Sequence, residues 1–350
     1  MKLAPVNVFT PREKLIFWAF NMNKIVAVVG GGPSGMSCAL WLKHLGFVPI
    51  LIEKNEKLGG LQTLSHFQNV WYLGIPGKTG YELADQFQRH VEAEMLSTVL
   101  DSSIKEITKV GDDFRIVTDK TEITARYMVI ATGQRVTGFE AIESVPGSKY
   151  LLSSQRVCFN PGATPLLGSK VSGGVVAVVG GGDNGLVTAR ILGNTSQHIH
   201  LFIRSEMRAF EVNKRAMFEQ IAAGRVSVHQ PAKIQRFEMR EEKIYMLFQD
   251  ENNQEKALLF DYLCFRLGFT PNVEELVRLF EQGGVGSVKL TEKGYIATDR
   301  FLRTSIPNIY AAGDVTNPRD PCVATAVAHG AIAAHSIEED LGLSCYEKSL

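Results

Sequence analysis

Two stretches of this chain closely resemble each other. One begins at Ile25 and reads "IVAVVGGGPSGMSCALWL"; the other begins at Val175 and reads "VVAVVGGGDNGLVTARIL". Each is a run of β-branched residues that ends in glycines spaced G-x-G-x-x-G, at Gly30, Gly32 and Gly35 and again at Gly180, Gly182 and Gly185. A continuous apolar β-branched run suits a parallel strand buried on both faces. The glycines suit a tight turn, close backbone approach to a pyrophosphate, and close helix–strand packing. After the first copy, "PSGMSCALWLKHLG" has helical spacing with Gly46 as a C-terminal stop, and "VPILIEK" is a second strand. After the second copy, "NGLVTARILGN" is the helix and "HIHLFIRS" the strand. Each copy is therefore a βαβ unit of about 30 residues.

The order of the remaining segments gives the domain plan. Gly80–Leu96 has an amphipathic helical pattern, and "SIKEITKVGDDFRIVTDKTEITARYMVIATG" is a meander of short strands with turns at "GDD" and "DKT". A turn-rich stretch from Gln134 carries the crossing into the second unit. Strands recur at "KIQRFEMREEKIYMLFQD" and "FDYLCFRLG", and "GFTPNVEEL" marks a crossing back. The chain closes with a strand in "IPNIYAAGDV" and an alanine-rich helix in "PCVATAVAHGAIAAHSIEEDL". The expected fold is α/β, with two Rossmann-like dinucleotide-binding domains, the second inserted into the first. The boundaries read as an N-terminal extension at 1–22, first-domain segments at 23–135 and 267–350, and the inserted domain at 136–266.

Composition excludes several classes. Lys plus Arg equals Asp plus Glu, at 37 each, so no global field draws the chain to nucleic acid or an anionic membrane. No apolar run approaches the roughly 20 residues of a membrane span. In the extension, the apolar run Leu15–Phe20 is too short for a signal peptide. Met22 offers a natural start, with an amphipathic membrane or partner anchor as the other reading. Five scattered cysteines, Cys38, Cys158, Cys264, Cys322 and Cys345, fit a reducing cytoplasm better than a disulfide framework. No metal-ligand spacing or nucleophile triad is present.

The two units differ where their second strands end. Glu53 lies about 20 residues beyond the first glycine motif, placed to accept from ribose hydroxyls. The second unit ends instead on Arg204, with Arg208 close behind, and guanidinium groups hold the 2′-phosphate that a carboxylate repels. The second site therefore favours NADP(H) over NAD(H).

At this point the chain resembles the thioredoxin-reductase-like two-domain flavoproteins, over residues from Asn23 to about Leu341. The resemblance rests on "GGGPSG" with Glu53, "EKLGG" at 56–60, "LGIPG" at 73–77, "ATG" at 131–133, "GGGDNG", "RSEMRA", "GFTPN" at 268–272 and "IYAAGDV", all in order. It implies FAD in the first unit, on Gly30, Gly32, Pro33, Ser34, Gly35, Glu53, Lys54, Gly60, Gln62, Thr132, Gly133, Asp314, Val323 and Ala324. It implies NADP(H) in the inserted unit, on Gly180, Gly182, Asp183, Asn184, Gly185, Arg204 and Arg208. Hydride transfer from NADPH to flavin and a homodimer are implied with them.

One departure bears on the electron acceptor. Dithiol-using relatives carry C-x-x-C in the NADPH domain, and no C-x-x-C occurs in this chain. In this the chain is similar to the ferredoxin- or flavodoxin-NADP reductases of the thioredoxin-reductase type, although only "GLSCYEKSL" follows the last helix, with Tyr346 as a candidate aromatic. The alternatives are a reductase of a disulfide or other small oxidant using Cys322, beside the flavin and paired with Cys345, and a flavin-binding module that does not turn over; Cys322 also reads as a small buried residue that fills a turn. Cys38 and Cys264 read as packing residues; His329 and His335 read as structural or dimer-face residues, with proton shuttling as the other role.

Overall fold

The structure is a computed structural model that describes residues 24–343. The expectations for residues 1–22, for Cys345 and for Tyr346 lie outside the described residues. No helix among the described residues is long and apolar enough to cross a membrane.

In chain order, β1 (Ile25–Val29), α1 (Pro33–His44) and β2 (Val48–Ile52) form the first βαβ unit. Next come α2 (Gly80–Ala93), β3 (Ser97–Val99), a hairpin series β4 (Ile104–Val110), β5 (Asp113–Thr118) and β6 (Glu122–Ala125), and β7 (Tyr127–Ile130). After β8 (Gln134–Val136), a short helix α3 (Lys149–Ser153) and β9 (Val157–Cys158), the second unit follows as β10 (Val175–Val179), α4 (Asp183–Leu192) and β11 (His198–Phe202). It continues through α5 (Glu211–Ala222), β12 (Val226–His229), β13 (Lys233–Arg240), β14 (Lys243–Gln249), β15 (Glu255–Phe260), β16 (Tyr262–Phe265) and β17 (Phe269–Pro271). The chain returns with α6 (Glu274–Gln282), β18 (Ile309–Ala311) and α7 (Val323–Asp340).

The chain divides into two compact units. Among the described residues, one holds 24–63, 69–134 and 271–343, and the other holds 64–68 and 135–270. The insertion expected of the fold class is therefore present.

Each unit repeats one architecture. The first has a parallel sheet ordered β18-β7-β1-β2-β3 and an antiparallel sheet β4-β5-β6. The second has a parallel sheet β12-β11-β10-β16-β9 and an antiparallel sheet β13-β14-β15. The period of two sorts side chains between faces. Val26 and Val28 join α1 and α7 residues such as Leu42 and Ile337, whereas Ala27 and Val29 join the hairpin residues Phe114 and Ile116. In the second unit Val176 and Val178 meet α4, and Ala177 meets Phe237, Phe248 and Phe260. Both parallel sheets are thus covered on two sides, which is why their strands read as unbroken apolar runs.

The helix expected over Gly80–Leu96 ends earlier, at Ala93, because Met95 adopts a left-handed φ of 51°. Its start is fixed by a capping box, in which Thr79 Oγ1 accepts from Glu82 N and Glu82 Oε2 accepts from Thr79 N.

Between the second unit's two sheets lies a ring cluster. His200 Nδ1 and His229 Nε2 are 2.9 Å apart, His198 stands edge-on to His200 at 4.9 Å, and Phe202 stacks on His229 at 4.5 Å. Burial, then the neighbouring His229, pushes His200 down to about 4. Because the folded state disfavours the protonated ring, its stability contribution is complete above the unfolded value of about 6.5 and is lost as pH falls toward 4. Wild type should therefore lose about 1–2 kcal/mol more than His200→Gln between pH 7 and pH 5. Urea midpoints at the two pH values measure this, and equal losses would contradict it.

Candidate functional site

In the first cradle the chain leaves β1, turns through Gly30–Gly32 and enters α1. Gly30 has φ +110°, and a Cβ there would lie 2.3 Å from Ala131 O. A Cβ on Gly35 would lie 1.9 Å from Gly30 O. The helix start therefore rests backbone to backbone on the turn, which excludes any side chain at Gly35. The N-cap is Gly32, Pro33 occupies the first helical turn, and no side chain caps the helix. Its first N–H groups therefore stay open, as anion binding at a helix N-terminus requires.

Glu53 is buried beside this turn. Its Oε2 accepts from Gly31 N at 2.7 Å, and its Oε1 accepts from Asn55 N at 2.9 Å and Asn55 Nδ2 at 2.6 Å. Asn55, two residues downstream, thus aims the carboxylate and went unread in the sequence. The "EKLGG" loop backs onto the turn: Gly59 N donates to Gly31 O at 2.8 Å, and Gly60 lies against Gly32. Gln62 follows in a 3-10 turn, and Lys54 is exposed.

The return segment adds the other wall. Gly313 has φ +81°, and a Cβ there would come within 2.8 Å of Ser34 Cβ. Asp314 therefore stands next to the first turn of α1. Among the described residues, Ser34 Oγ and Asp314 Oδ1 are the buried side-chain atoms without a hydrogen-bond partner. Burial alone pushes Asp314 up to about 6. Gly313 N donates to His329 Nδ1 at 3.2 Å, and burial holds His329 below the usual imidazole range. Its Nδ1 accepts, so the neutral ring carries its proton on Nε2. Cys322 is the N-cap of α7, with Sγ 3.4 Å from Thr325 Oγ1; Val323 behind it is buried and Ala324 exposed. Thr132 is clamped to Asn272: Thr132 Oγ1 donates to Asn272 O at 2.7 Å, and Asn272 Nδ2 donates to Thr132 O at 2.9 Å. Asn272 N donates to Gly133 O, and Gln134 Nε2 donates to Asp314 O at 3.2 Å. His335 lies elsewhere on α7, 3.1 Å from Glu338.

The second cradle repeats the first. Gly180 has φ +140° with a virtual Cβ 2.3 Å from Arg266 O, and Gly185 would place its Cβ 2.0 Å from Gly180 O. Gly182 is the N-cap of α4 and again no side chain caps it. Asp183 Oδ1 accepts from Phe210 N at 2.9 Å and Asn213 Nδ2 at 2.6 Å. It therefore ties down the loop that carries Arg208, whose N donates to Gly181 O at 2.7 Å. Asn184 follows Asp183 in the first turn of α4. Arg204 and Arg208 are both exposed just beyond β11, and Arg208 Nε lies 3.7 Å from Glu206. Where the first turn faces a buried carboxylate, the second faces exposed guanidinium groups.

Two strand–turn–helix anion cradles, one with orphaned buried hydroxyl and carboxyl atoms that a polyhydroxylated ligand would satisfy, define a protein built around two dinucleotides. The profile of the pyridine nucleotide-disulphide oxidoreductase family matches residues 24–330, and the chain belongs to that family. It is 28% identical over 323 residues to a component of the alkyl hydroperoxide reductase of Pseudomonas aeruginosa, covering 90% of this chain and 58% of that protein. The chain thus spans little more than half the length of that relative. It is 26% identical to a thioredoxin reductase of Coxiella burnetii, over 90% of this chain and 95% of the other. The fold is similar to that of Lactococcus lactis thioredoxin reductase, with a TM-score of 0.76 at 22% identity, covering 90% and 98% of the two chains.

Asp314 yields a test. Its raised value means that the ligand-free fold disfavours the ionised form. That stability is complete below the unfolded value of about 3.9 and is lost as pH rises through about 6. Ligand-free Asp314→Asn should therefore be more stable than wild type at pH 8, on the order of 1–2 kcal/mol, with no gain at pH 4. The same variant should retain flavin less well. Thermal melts at both pH values decide it, and an equal difference at the two would contradict the burial account.

Proposed function

We propose that this chain oxidises NADPH at the second cradle, reduces FAD held at the first, and passes the electrons to a ferredoxin or flavodoxin. The observation that carries the reading is the pair of like cradles with unlike strand ends, Glu53 at one and Arg204 with Arg208 at the other, in a chain without C-x-x-C. When bound, FAD supplies the hydride-accepting ring and NADPH the hydride.

The chain's own residues bind and orient. The open N–H groups of α1 and the Ser34 hydroxyl face phosphate oxygens, and Glu53, held by Gly31 and Asn55, accepts from ribose hydroxyls. Asp314 accepts from a hydroxyl of the FAD chain, which restores the partner its Oδ1 lacks. The positive end of α7, behind Cys322, would favour a bound ring that takes on negative charge. At the second cradle, the α4 N-terminus takes the pyrophosphate, and Arg204 and Arg208 hold the 2′-phosphate. Asp183 positions rather than binds, since its Oδ1 is committed to Phe210 and Asn213. The resemblance to two-domain flavoproteins brings a homodimer and a cytoplasmic location into the proposal.

A second reading, reduction of a disulfide or other small oxidant, is favoured by the place of Cys322 at the start of α7. An acceptor panel with wild type and Cys322→Ser separates the two. The first reading expects NADPH-driven turnover with ferredoxin or flavodoxin that the substitution leaves within about twofold, and none with disulfides. Turnover of disulfides alone, abolished in Cys322→Ser, would overturn it in favour of the second.

A further inference from the structure

The second unit holds two cysteines side by side. Cys158 on β9 and Cys264 on β16 are paired residues of adjacent parallel strands. In-register residues of neighbouring strands have Cα atoms about 4.8 Å apart, inside the window that a disulfide spans. Both side chains enter the apolar cluster beneath α4, so the two sulfurs share one face of the sheet. Cys264 is fully buried, and Cys158 is half-buried on the strand at the sheet edge. As a two-residue edge strand, β9 has few ladder bonds to hold it rigid.

A buried cation completes the cluster. Arg266 is 6% exposed, yet among the described residues none of its five N–H groups donates to a carboxylate. Nε donates to Thr188 Oγ1 at 2.8 Å, and Nη1 to the carbonyls of Cys158 and Phe265 at 2.9 and 2.8 Å. Nη2 donates to Thr164 Oγ1 at 3.1 Å and lies 3.9 Å from Cys158 Sγ. Buried guanidinium groups are ordinarily paired with acids. Here the guanidinium, without an acid partner, lies 3.9 Å from the Cys158 sulfur. The backbone of the same residue abuts Gly180, the first glycine of the second cradle.

We propose that Cys158 and Cys264 form a reversible disulfide that loosens the second nucleotide cradle through Arg266. The oxidant is a hydroperoxide. The Cys158 sulfur attacks one peroxide oxygen, the O–O bond breaks, and an alcohol or water leaves with the thiol proton, giving a sulfenic acid. The Cys264 sulfur then attacks the Cys158 sulfur, the S–S bond forms, the S–O bond breaks, and hydroxyl leaves as water with the Cys264 proton. The sulfur pair loses two electrons and the peroxide gains two. A small dithiol reverses the step by exchange. Drawing β9 toward β16 displaces the Cys158 carbonyl and sulfur that Arg266 contacts, and with them the residue that abuts Gly180.

The test treats holoprotein with hydrogen peroxide, alkylates free thiols, and maps peptides, with NADPH affinity measured before and after. The expected result is a Cys158–Cys264 linked peptide and NADPH binding weakened at least threefold, both reversed by dithiothreitol. Cys264→Ser should give no link and a sulfenic acid at Cys158 that a dimedone probe traps. If that buried substitution fails to fold, Cys158→Ser at the edge must abolish both the link and the affinity change. Two freely alkylated thiols after peroxide, or a link without an affinity change, would overturn the proposal. The affinity measurement rests on the assignment of NADPH to the second cradle. Reduced protein that binds no NADPH overturns that assignment instead, and the peptide map still decides the dithiol.

Discussion

The constraint on which both cradles depend is a contact between two pieces of main chain. At Gly35 the first turn of a helix rests on the carbonyl of Gly30, and at Gly185 the same contact falls on Gly180. A methyl group at either helix position would sit about 2 Å from a carbonyl oxygen. The contact fixes where the helix begins relative to the strand, and so fixes where its open N–H groups point. Everything that could bind a phosphate in either unit is arranged from that point. The flanking apolar strands follow, because the turn is held only if helices cover one face of each parallel sheet and hairpins the other.

Given the same cradle twice, difference must come from what surrounds it. The first turn is enclosed by Glu53, Ser34, Asp314 and His329, three of which come from separate parts of the sequence. Enclosure raises the cost of ionising Asp314 and holds His329 below the usual imidazole range. Such a site suits a ligand that stays. The second turn is bordered by exposed Arg204 and Arg208 on a loop secured through Asp183, an arrangement that suits a ligand that comes and goes. A polar group left without a partner destabilises the ligand-free fold, so part of the affinity of the first cradle is relief of that penalty.

The duplicated units and the insertion were legible because period-two burial and glycine turns are local signals. The end of α2 was less so, since nothing in "HVEAEML" announces the left-handed turn at Met95. β9 was not legible at all. Two residues carry no periodicity, and Val157–Cys158 becomes a strand only because β16 lies beside it. The clamps escaped for the same reason: Asn272 with Thr132, and His329 with Gly313, are joined by contacts that no local pattern announces. Asp183 was legible as part of a nucleotide motif but not in its job of tethering a loop. Cys264 read as packing, and its burial agrees, yet its neighbour across the ladder is a second thiol that no sequence spacing reveals.

The central claim is that one cradle holds a flavin and the other delivers NADPH to it. Anaerobic mixing of the flavin-loaded protein with NADPH or NADH, followed by flavin absorbance, tests this directly. The account predicts bleaching by NADPH at a lower concentration than by NADH. The preference should shrink at least tenfold in Arg204→Ala, since a lost charge-assisted contact costs about 1.5–3 kcal/mol. A flavin that neither nucleotide reduces, or a preference for NADH in the wild type, would contradict it.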